Sequence, residues 1–205
     1  MTVTISRLYD NYSDAQRAVS GLEAAGVPHS DLSIVANNSD NWYDSDRKID
    51  RDRDGTDDRA EGAATGAGLG AGIGGAAGLL AGLGLLAIPG LGPVVAAGWL
   101  ASTALGATAG AATGGVVGAL TQAGVSEEEA PLYAEGVRRG GTLVSARVAE
   151  ADRARFEAIL SQSSVNLSDR RAAWQKDGWN SFDPSGQPYR PDEVRRDRQR
   201  NVTGL

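Results

Sequence analysis

The fold of this chain is predicted by residues 3–36, which have the sequence VTISRLYDNYSDAQRAVSGLEAAGVPHSDLSIVA. The first seven of them are rich in β-branched residues and partly alternate apolar with polar side chains, as a strand does. Ser13 and Gln16 form a capping-box pair, and the apolar residues that follow at helical spacing stop at Gly26. DLSIVA, at residues 31–36, predicts a second strand. The stretch therefore predicts a strand, a helix and a strand.

The same order of elements recurs in residues 126–167. Ser126 and Glu129 form a second capping-box pair ahead of a predicted helix, which two consecutive glycines end. TLVSARV, at residues 142–148, predicts a strand with every second residue apolar, and residues 151–162 predict a helix. SVNL, which follows, predicts a short last strand. Two such β-α-β units form the ferredoxin-like split βαβ arrangement.

The sequence thus predicts an α+β fold in five parts. Residues 1–36 and 126–167 form the two halves of the ferredoxin-like domain. They are separated by an acidic linker at residues 37–61 and by a glycine-rich insert at residues 62–125. Residues 168–205 are rich in turn-forming residues, so we expect an extended aromatic tail.

The insert has the pattern of a glycine zipper. Residues 62–126 contain no charged side chain, and glycine recurs at every fourth position on both sides of AIPGLGP, with Ser102 in the place of one glycine. Each glycine in a helix interior lowers helix stability by about 1 kcal/mol relative to alanine, so a regular series of glycines indicates that small residues are required at these positions. Small residues four apart let two helices approach closely. We therefore predict an antiparallel helical hairpin, 63–88 against 93–122, with helix contacts at Gly66, Gly70, Gly74, Gly78, Gly82, Gly98, Gly106, Gly110, Gly114 and Gly118.

Two environments are open for this hairpin. Helices without a polar face must be buried in lipid or in protein. Each segment reaches the length of about 20 residues that spans a bilayer, and the bulky apolar side chains cluster at residues 79–100. Because both flanks are acidic, the distribution of positive charge does not support a membrane orientation. The hairpin therefore predicts either membrane association through residues 79–100 or burial in a homo-oligomer.

The overall composition argues against several classes of function. The net charge is -6 and the pI is about 4.8, which disfavours nucleic acid as a partner. The chain has no cysteine, and His29 is its only histidine, so thiol catalysis is absent and a Ser-His-Asp triad has one candidate base. We predict a protein that is not an enzyme and has no catalytic residues. No signal-peptide pattern is visible, so we expect a cytoplasmic protein, with membrane association if the hairpin inserts.

The acidic linker contains a match to a calcium-binding loop. DRDRDGTDDRAE, at residues 50–61, matches the pattern D-x-[DN]-x-[DN]-G-x5-E. Such a loop would bind calcium, as its cofactor, through Asp50, Asp52, Asp54, Asp58 and Glu61. Asp57 stands where the loop normally has an apolar residue, and three arginines dilute its negative charge. The alternative is that Glu61 caps the helix that follows.

The tail concentrates aromatic residues, which are scarce in the rest of the chain. They are Trp174, Trp179, Phe182 and Tyr189. Aromatic side chains on an extended segment commonly anchor it to a surface. That surface is either the domain of the same chain or a neighbouring subunit. We favour the neighbouring subunit, because the hairpin also requires a partner.

Three stretches carry a family likeness, namely LYDNYSDAQRAVSGLEAAGVPHSDLSIVA, GLLAGLGLLAIPGLGPVVAAGW and AEGVRRGGTLVSARV. They and the tail, WQKDGWNSFDPSGQPYRPDE, resemble the bacterial general stress protein 17M-like (heat-induced stress protein) domain with a glycine-rich insert. The resemblance implies a stress-linked protein and no catalytic residues. Our leading hypothesis is a non-enzymatic stress-response protein whose hairpin mediates self-assembly or membrane association. The alternative is a calcium-responsive binding module that uses the loop from Asp50 to Glu61.

Overall fold

The computed structural model describes residues 1–39, 41–43, 83–88, 90–101 and 115–203. Within them the chain is an α+β domain with one antiparallel sheet of five strands. The strands are β1 (Thr2–Tyr9), β2 (Leu32–Asn37), β3 (Gly84–Ile88), β4 (Gly92–Gly98) and β5 (Thr142–Ala149). The helices are α1 (Tyr12–Ala24), α2 (Gly115–Gln122), α3 (Ala130–Arg138), α4 (Arg153–Leu160), α5 (Leu167–Lys176) and α6 (Pro191–Thr203).

The start of α1 differs from the predicted capping box. Asn11 is the N-cap, and its side-chain oxygen accepts a hydrogen bond from the backbone N–H of Asp14 at 2.9 Å. Asparagine is at least as good an N-cap as serine, so the helix begins at Tyr12, one residue before Ser13. The Ser13 hydroxyl donates instead to the Asn11 side chain at 2.7 Å.

The strands lie in the order β1-β5-β2-β4-β3. Strand β5 comes from the second half of the domain, lies between β1 and β2 of the first half, and pairs antiparallel with both. Ala146 faces Ile5 of β1 on one side and Leu32 of β2 on the other. The sheet therefore joins the two chain halves that the insert separates in sequence.

Helices cover both faces of this sheet. On one face, α1 and α4 pack over a cluster that includes Ile5, Val19, Ile34, Phe156 and Leu160. The predicted inward face of β5 also belongs to this cluster, through Val144, Ala146 and Val148. On the other face, α2, α3 and α5 pack over a cluster that includes Leu8, Val94, Leu120, Tyr133, Leu143 and Trp174.

The prediction of a helical hairpin is wrong for residues 84–98, which form the β-hairpin of β3 and β4. Gly90 and Gly92 at its turn have positive φ angles of 76° and 85°. Strand β4 pairs with β2 along five residues, and the β-branched Val94 and Val95 become fully buried. Pairing with an edge that would otherwise be open outweighs the local helical pattern.

Two of the glycines that were predicted to form helix contacts lie in the described residues, one in a strand and one in a helix. Gly98 is the last residue of β4 rather than a helix residue, and its φ angle is 86°. Gly118 lies in α2. The others lie outside the described residues, namely Gly66, Gly70, Gly74, Gly78, Gly82, Gly106, Gly110 and Gly114.

The predicted last strand, SVNL, does not form. Its one ladder-like bond runs from the Val165 N–H to the Leu8 carbonyl at 2.8 Å. Asn166 then caps α5, and its side-chain oxygen accepts from the N–H groups of Ser168 and Asp169. The cap turns the chain into a helix one residue after the pairing begins, so β1 stays at the edge of the sheet.

The prediction of an extended tail is wrong for residues 168–176 and 191–203, which lie in α5 and α6, whereas residues 177–190 between them have no helix or strand, as predicted. Val194 of α6 is fully buried and packs against Gly140, at the C-terminal end of α3. None of the helices in the described ranges is both long and apolar enough to cross a membrane.

Candidate functional site at the C-terminal tail

The aromatic residues of the tail surround two arginines at the end of α3. The Phe182 and Tyr189 rings lie 5.4 and 5.3 Å from the guanidinium carbon of Arg138. The Trp174 and Tyr189 rings lie 5.1 and 5.2 Å from that of Arg139. At these distances a cation and a ring face attract each other. Tyr189 is therefore shared between the two arginines.

Trp174 and Trp179 form the apolar side of this site. Their ring centroids are 5.6 Å apart in an edge-to-face arrangement, and the backbone N–H of Trp179 donates to the backbone carbonyl of Trp174 at 2.9 Å. Trp174 is only 4% exposed and belongs to the core. The aromatic residues make these contacts within the same chain, and a neighbouring subunit as their surface stays a prediction.

A buried ion network underlies the aromatic residues. Glu135, on α3, is fully buried; its Oε1 accepts from Arg139 Nε at 2.6 Å, and its Oε2 lies 2.6 Å from Arg138 Nη2. Arg139 Nη1 also donates to Asp197 Oδ2 of α6 at 3.2 Å. Asp197 is paired in turn with Arg200. Each buried charge thus has an opposite partner, which offsets the cost of removing it from water.

The sequence contained part of the signal for this network. Glu135 and Arg139 are four residues apart on one helix, a spacing that brings an acid and a base together. Nothing in the local pattern connects them to Asp197, fifty-eight residues after Arg139. Sequence reasoning therefore missed the network.

The tail also holds the turn between β3 and β4. A Cβ atom on Gly90 would lie 2.8 Å from the Pro184 carbonyl oxygen, and one on Gly92 would lie 2.7 Å from Pro188 Cβ. These separations are too short for any side chain on either glycine. The tail is thus in close contact with the part of the insert that belongs to the sheet.

The same domain holds residues that flank the stretches 44–82 and 102–114. The Tyr43 hydroxyl donates to the Leu83 carbonyl at 3.0 Å, so the residues that precede and follow 44–82 are in contact. Two hydrogen bonds with the Asn38 side chain, at 2.9 and 3.0 Å, hold the Tyr43 backbone. The segment 102–114 follows Leu100, which is fully buried, and leads into α2.

A cleft of about 800 Å³ lies beside the network, between α5 and α6. Its volume is in the range of small-molecule sites. Its cations are Arg139, Arg170, Lys176 and Arg200, and its carboxylates are Asp10, Asp169, Asp177 and Asp197. Arg170 binds Asp10 through both guanidinium nitrogens, at 2.9 and 3.0 Å. The balance of charge favours neither an anionic nor a cationic ligand.

The remaining candidate residues are the single histidine and the predicted calcium ligands. His29 lies in a single 3₁₀ turn, His29–Asp31. Burial raises the pKa of Glu23, and the charge of His29 partly opposes this rise in pKa. No group of three or more histidine and carboxylate side chains suited to a metal occurs in the described ranges. The predicted calcium ligands lie outside those ranges, namely Asp50, Asp52, Asp54, Asp58 and Glu61.

Replacing Tyr189 by leucine should lower the free energy of unfolding by about 1 kcal/mol, since the ring no longer stacks on two guanidinium groups. Urea denaturation at several protein concentrations measures this. Because the contacts lie within one chain, the loss should be the same at every concentration. A loss that grows as the protein is concentrated would instead show that Tyr189 anchors a second subunit.

No family model, no curated protein and no solved structure matches this chain. The resemblance to the general stress protein 17M-like domain therefore stays a prediction that rests on the residues quoted for it.

Proposed function

We propose that this chain is a non-enzymatic assembly protein. In this proposal a ferredoxin-like split βαβ domain carries the glycine-rich insert, and the insert mediates self-association or attachment to a membrane. The link to a bacterial stress response is taken from the family resemblance alone. The observation that carries the proposal is the contact between Tyr43 and Leu83, which brings together the residues on either side of 44–82, the stretch that contains the acidic linker and the first glycine-rich run.

Holding the ends together favours association for an entropic reason. A segment whose ends are already fixed loses less conformational freedom when it binds than one with free ends. The uncharged composition of residues 62–82 and 102–114 makes apolar burial the available driving force. The domain would then hold in position the surface through which the protein associates.

The placement of β3 and β4 supports the same proposal. These strands come from the insert, and Val94, Val95 and Leu100 are fully buried in the domain. The insert is therefore not joined to the domain by a simple linker. Any partner bound by the neighbouring glycine-rich segments would be connected to the sheet through packed residues.

Replacing both Gly74 and Gly110 by leucine should abolish the assembly, because each leucine separates surfaces that glycine allows to touch. Light scattering with size-exclusion chromatography measures the particle mass of the full chain without detergent. Gly84→Leu is the control: it adds the same bulk within the insert, at a position where a Cβ has open space. An unchanged particle mass in the double variant would contradict the role of the zipper.

Fractionation of the host cell separates the two kinds of partner. If the wild-type protein stays in the membrane pellet after a carbonate wash and the double variant does not, the insert is a lipid anchor. If the wild-type protein is a discrete oligomer and the variant a monomer, the inserts bury one another. A wild-type protein that is monomeric and absent from the pellet would overturn both forms of the proposal.

A further inference from the structure

Strand β1 has an outer edge that faces away from the sheet. Thr2 is opposite Ala149 of β5, and the neighbouring Glu150 N–H donates to the Met1 carbonyl at 3.0 Å. In an antiparallel ladder every second residue bonds to the partner strand, so the odd-numbered residues of β1 bond to β5. The even-numbered residues direct their backbone N–H and C=O groups outward: Thr2, Thr4, Ser6 and Leu8.

The same chain satisfies only one half of this edge. The Leu8 carbonyl accepts from the Val165 N–H, and the Ser6 carbonyl accepts from the Tyr133 hydroxyl and from Arg7 Nη1, each at 2.8 Å. Burial raises the pKa of Tyr133 to about 12, so its hydroxyl remains a donor. In the other half, the outward groups of Thr2 and Thr4 have no hydrogen-bond partner among the described residues.

This open half is the floor of a groove of about 420 Å³. One wall is formed by residues 123–126, with Val125 as its bulky apolar residue, and by Glu129 and Tyr133. The other wall is formed by Arg153 and Glu157 of α4. An extended chain that pairs with β1 would direct every second side chain to the wall that carries Val125 and Glu129, and the others to the wall of Arg153 and Glu157.

The charges of the groove are compensated except at one place. Glu157 Oε1 lies 3.0 Å from Arg153 Nε and 3.9 Å from Arg7 Nη2. Glu129 bonds to the Ser126 hydroxyl, and no arginine or lysine in the described ranges lies within 4.0 Å of its carboxylate. The groove therefore complements a segment that brings one basic side chain.

We propose that the groove binds an extended segment of a partner polypeptide, which adds to the sheet as a strand beside β1. Its backbone pairs with Thr2 and Thr4, its apolar side chains face Val125, and a basic side chain pairs with Glu129. A sheet edge of this kind supplies affinity through the main chain and specificity through the pockets for side chains.

The two walls favour a single chain as the occupant over a second copy. In a second copy, β1 is recessed between the same walls. The walls of the two copies would meet before their strands reached the pairing distance of about 4.8 Å. The site uses none of the residues 62–82 and 102–114 to which the assembly function is assigned, so it is independent of that proposed function.

The test uses a fluorescein-labelled peptide with the sequence TLVSARVA, which alternates in character, contains an arginine and pairs with β1 from the other side in the fold. Fluorescence polarisation measures its binding to the full chain. Thr4→Pro removes an outward N–H and leaves the bonds of Val3 and Ile5 to β5, so proline is tolerated there. We expect binding to weaken about tenfold or more. Thr4→Val keeps the N–H and should bind like the wild type.

A second measurement does not depend on any variant. Amide hydrogen exchange should be fast at Thr4 and slow at Ile5 in the free chain, and the peptide should slow exchange at Thr4. A peptide N-methylated on alternate residues should have no effect. The proposal is overturned if millimolar peptide does not bind, or if Thr4 exchange stays unchanged when it binds. Protection that rises with protein concentration alone would assign the edge to a second copy and overturn the proposed partner.

Discussion

Replacing Glu135 by glutamine is expected to lower the free energy of unfolding by about 3 to 5 kcal/mol. Glu135 is fully buried and is the carboxylate that both Arg138 and Arg139 contact. Glutamine keeps the shape of the side chain and removes its charge. The two guanidinium groups, about one-tenth exposed, are then left with too little negative charge in a largely buried site.

Urea denaturation with linear extrapolation measures the loss. Asp192→Asn is the control, because it removes the carboxylate of an exposed pair with Arg196 on α6 and should change stability little. A second variant tests the cause. If the loss of stability comes from a buried arginine without enough opposite charge, adding Arg139→Leu to Glu135→Gln should restore part of the lost stability.

A loss below about 1 kcal/mol in Glu135→Gln would contradict this view, since that is the range of exposed ion pairs. It would mean that water reaches the arginines in solution. The tail would then be a loosely held cover rather than a packed part of the domain.

Replacing Gly98 by alanine should destabilise the protein by about 3 kcal/mol or more, through backbone strain and overpacking together. Its φ angle is 86°, a conformation that residues with a side chain rarely adopt. A Cβ atom there would lie 2.1 Å from the Leu32 carbonyl oxygen and 2.8 Å from Ser33 Cα. Both are backbone atoms of β2, so no rotamer change relieves the clash.

The sign of this effect separates the β-hairpin from the helical hairpin that the glycine pattern predicts. Alanine in place of glycine inside a helix stabilises it by about 1 kcal/mol. Gly84→Ala is the matched control, because a Cβ on Gly84, in β3, would meet nothing within 4 Å. If Gly98→Ala raises the unfolding midpoint, the strand assignment of residues 92–98 is refuted.

The flanking elements were predictable because their signals are local. Apolar spacing identified α1, and alternation identified β5 with its inward face of Val144, Ala146 and Val148. One error in these regions concerns an element end and the other an element that does not form. Asn11 is the N-cap of α1 and moves its start ahead of Ser13, whereas Asn166 caps α5 in place of the predicted strand SVNL.

The candidate site was predictable only in part. The aromatic composition of the tail predicted a contact surface there, and the spacing of Glu135 and Arg139 on α3 was compatible with an ion pair. The surface that the aromatic residues bind was not predictable, because Arg138 and Tyr189 meet only after α6 folds back on α3. Aromatic residues pack equally well on their own chain or on a partner, so composition does not decide between them.

The sequence by itself determined the α+β class, the order of the flanking elements and the charge-free character of the insert. Tertiary structure decided the conformation of residues 84–98. The spacing of glycine predicts a helix there, but β2 offers an unpaired edge, and pairing with it buries Val94 and Val95 completely. Helical spacing is a property of neighbouring residues, whereas strand pairing depends on a partner that is distant in sequence and present only once the sheet has formed.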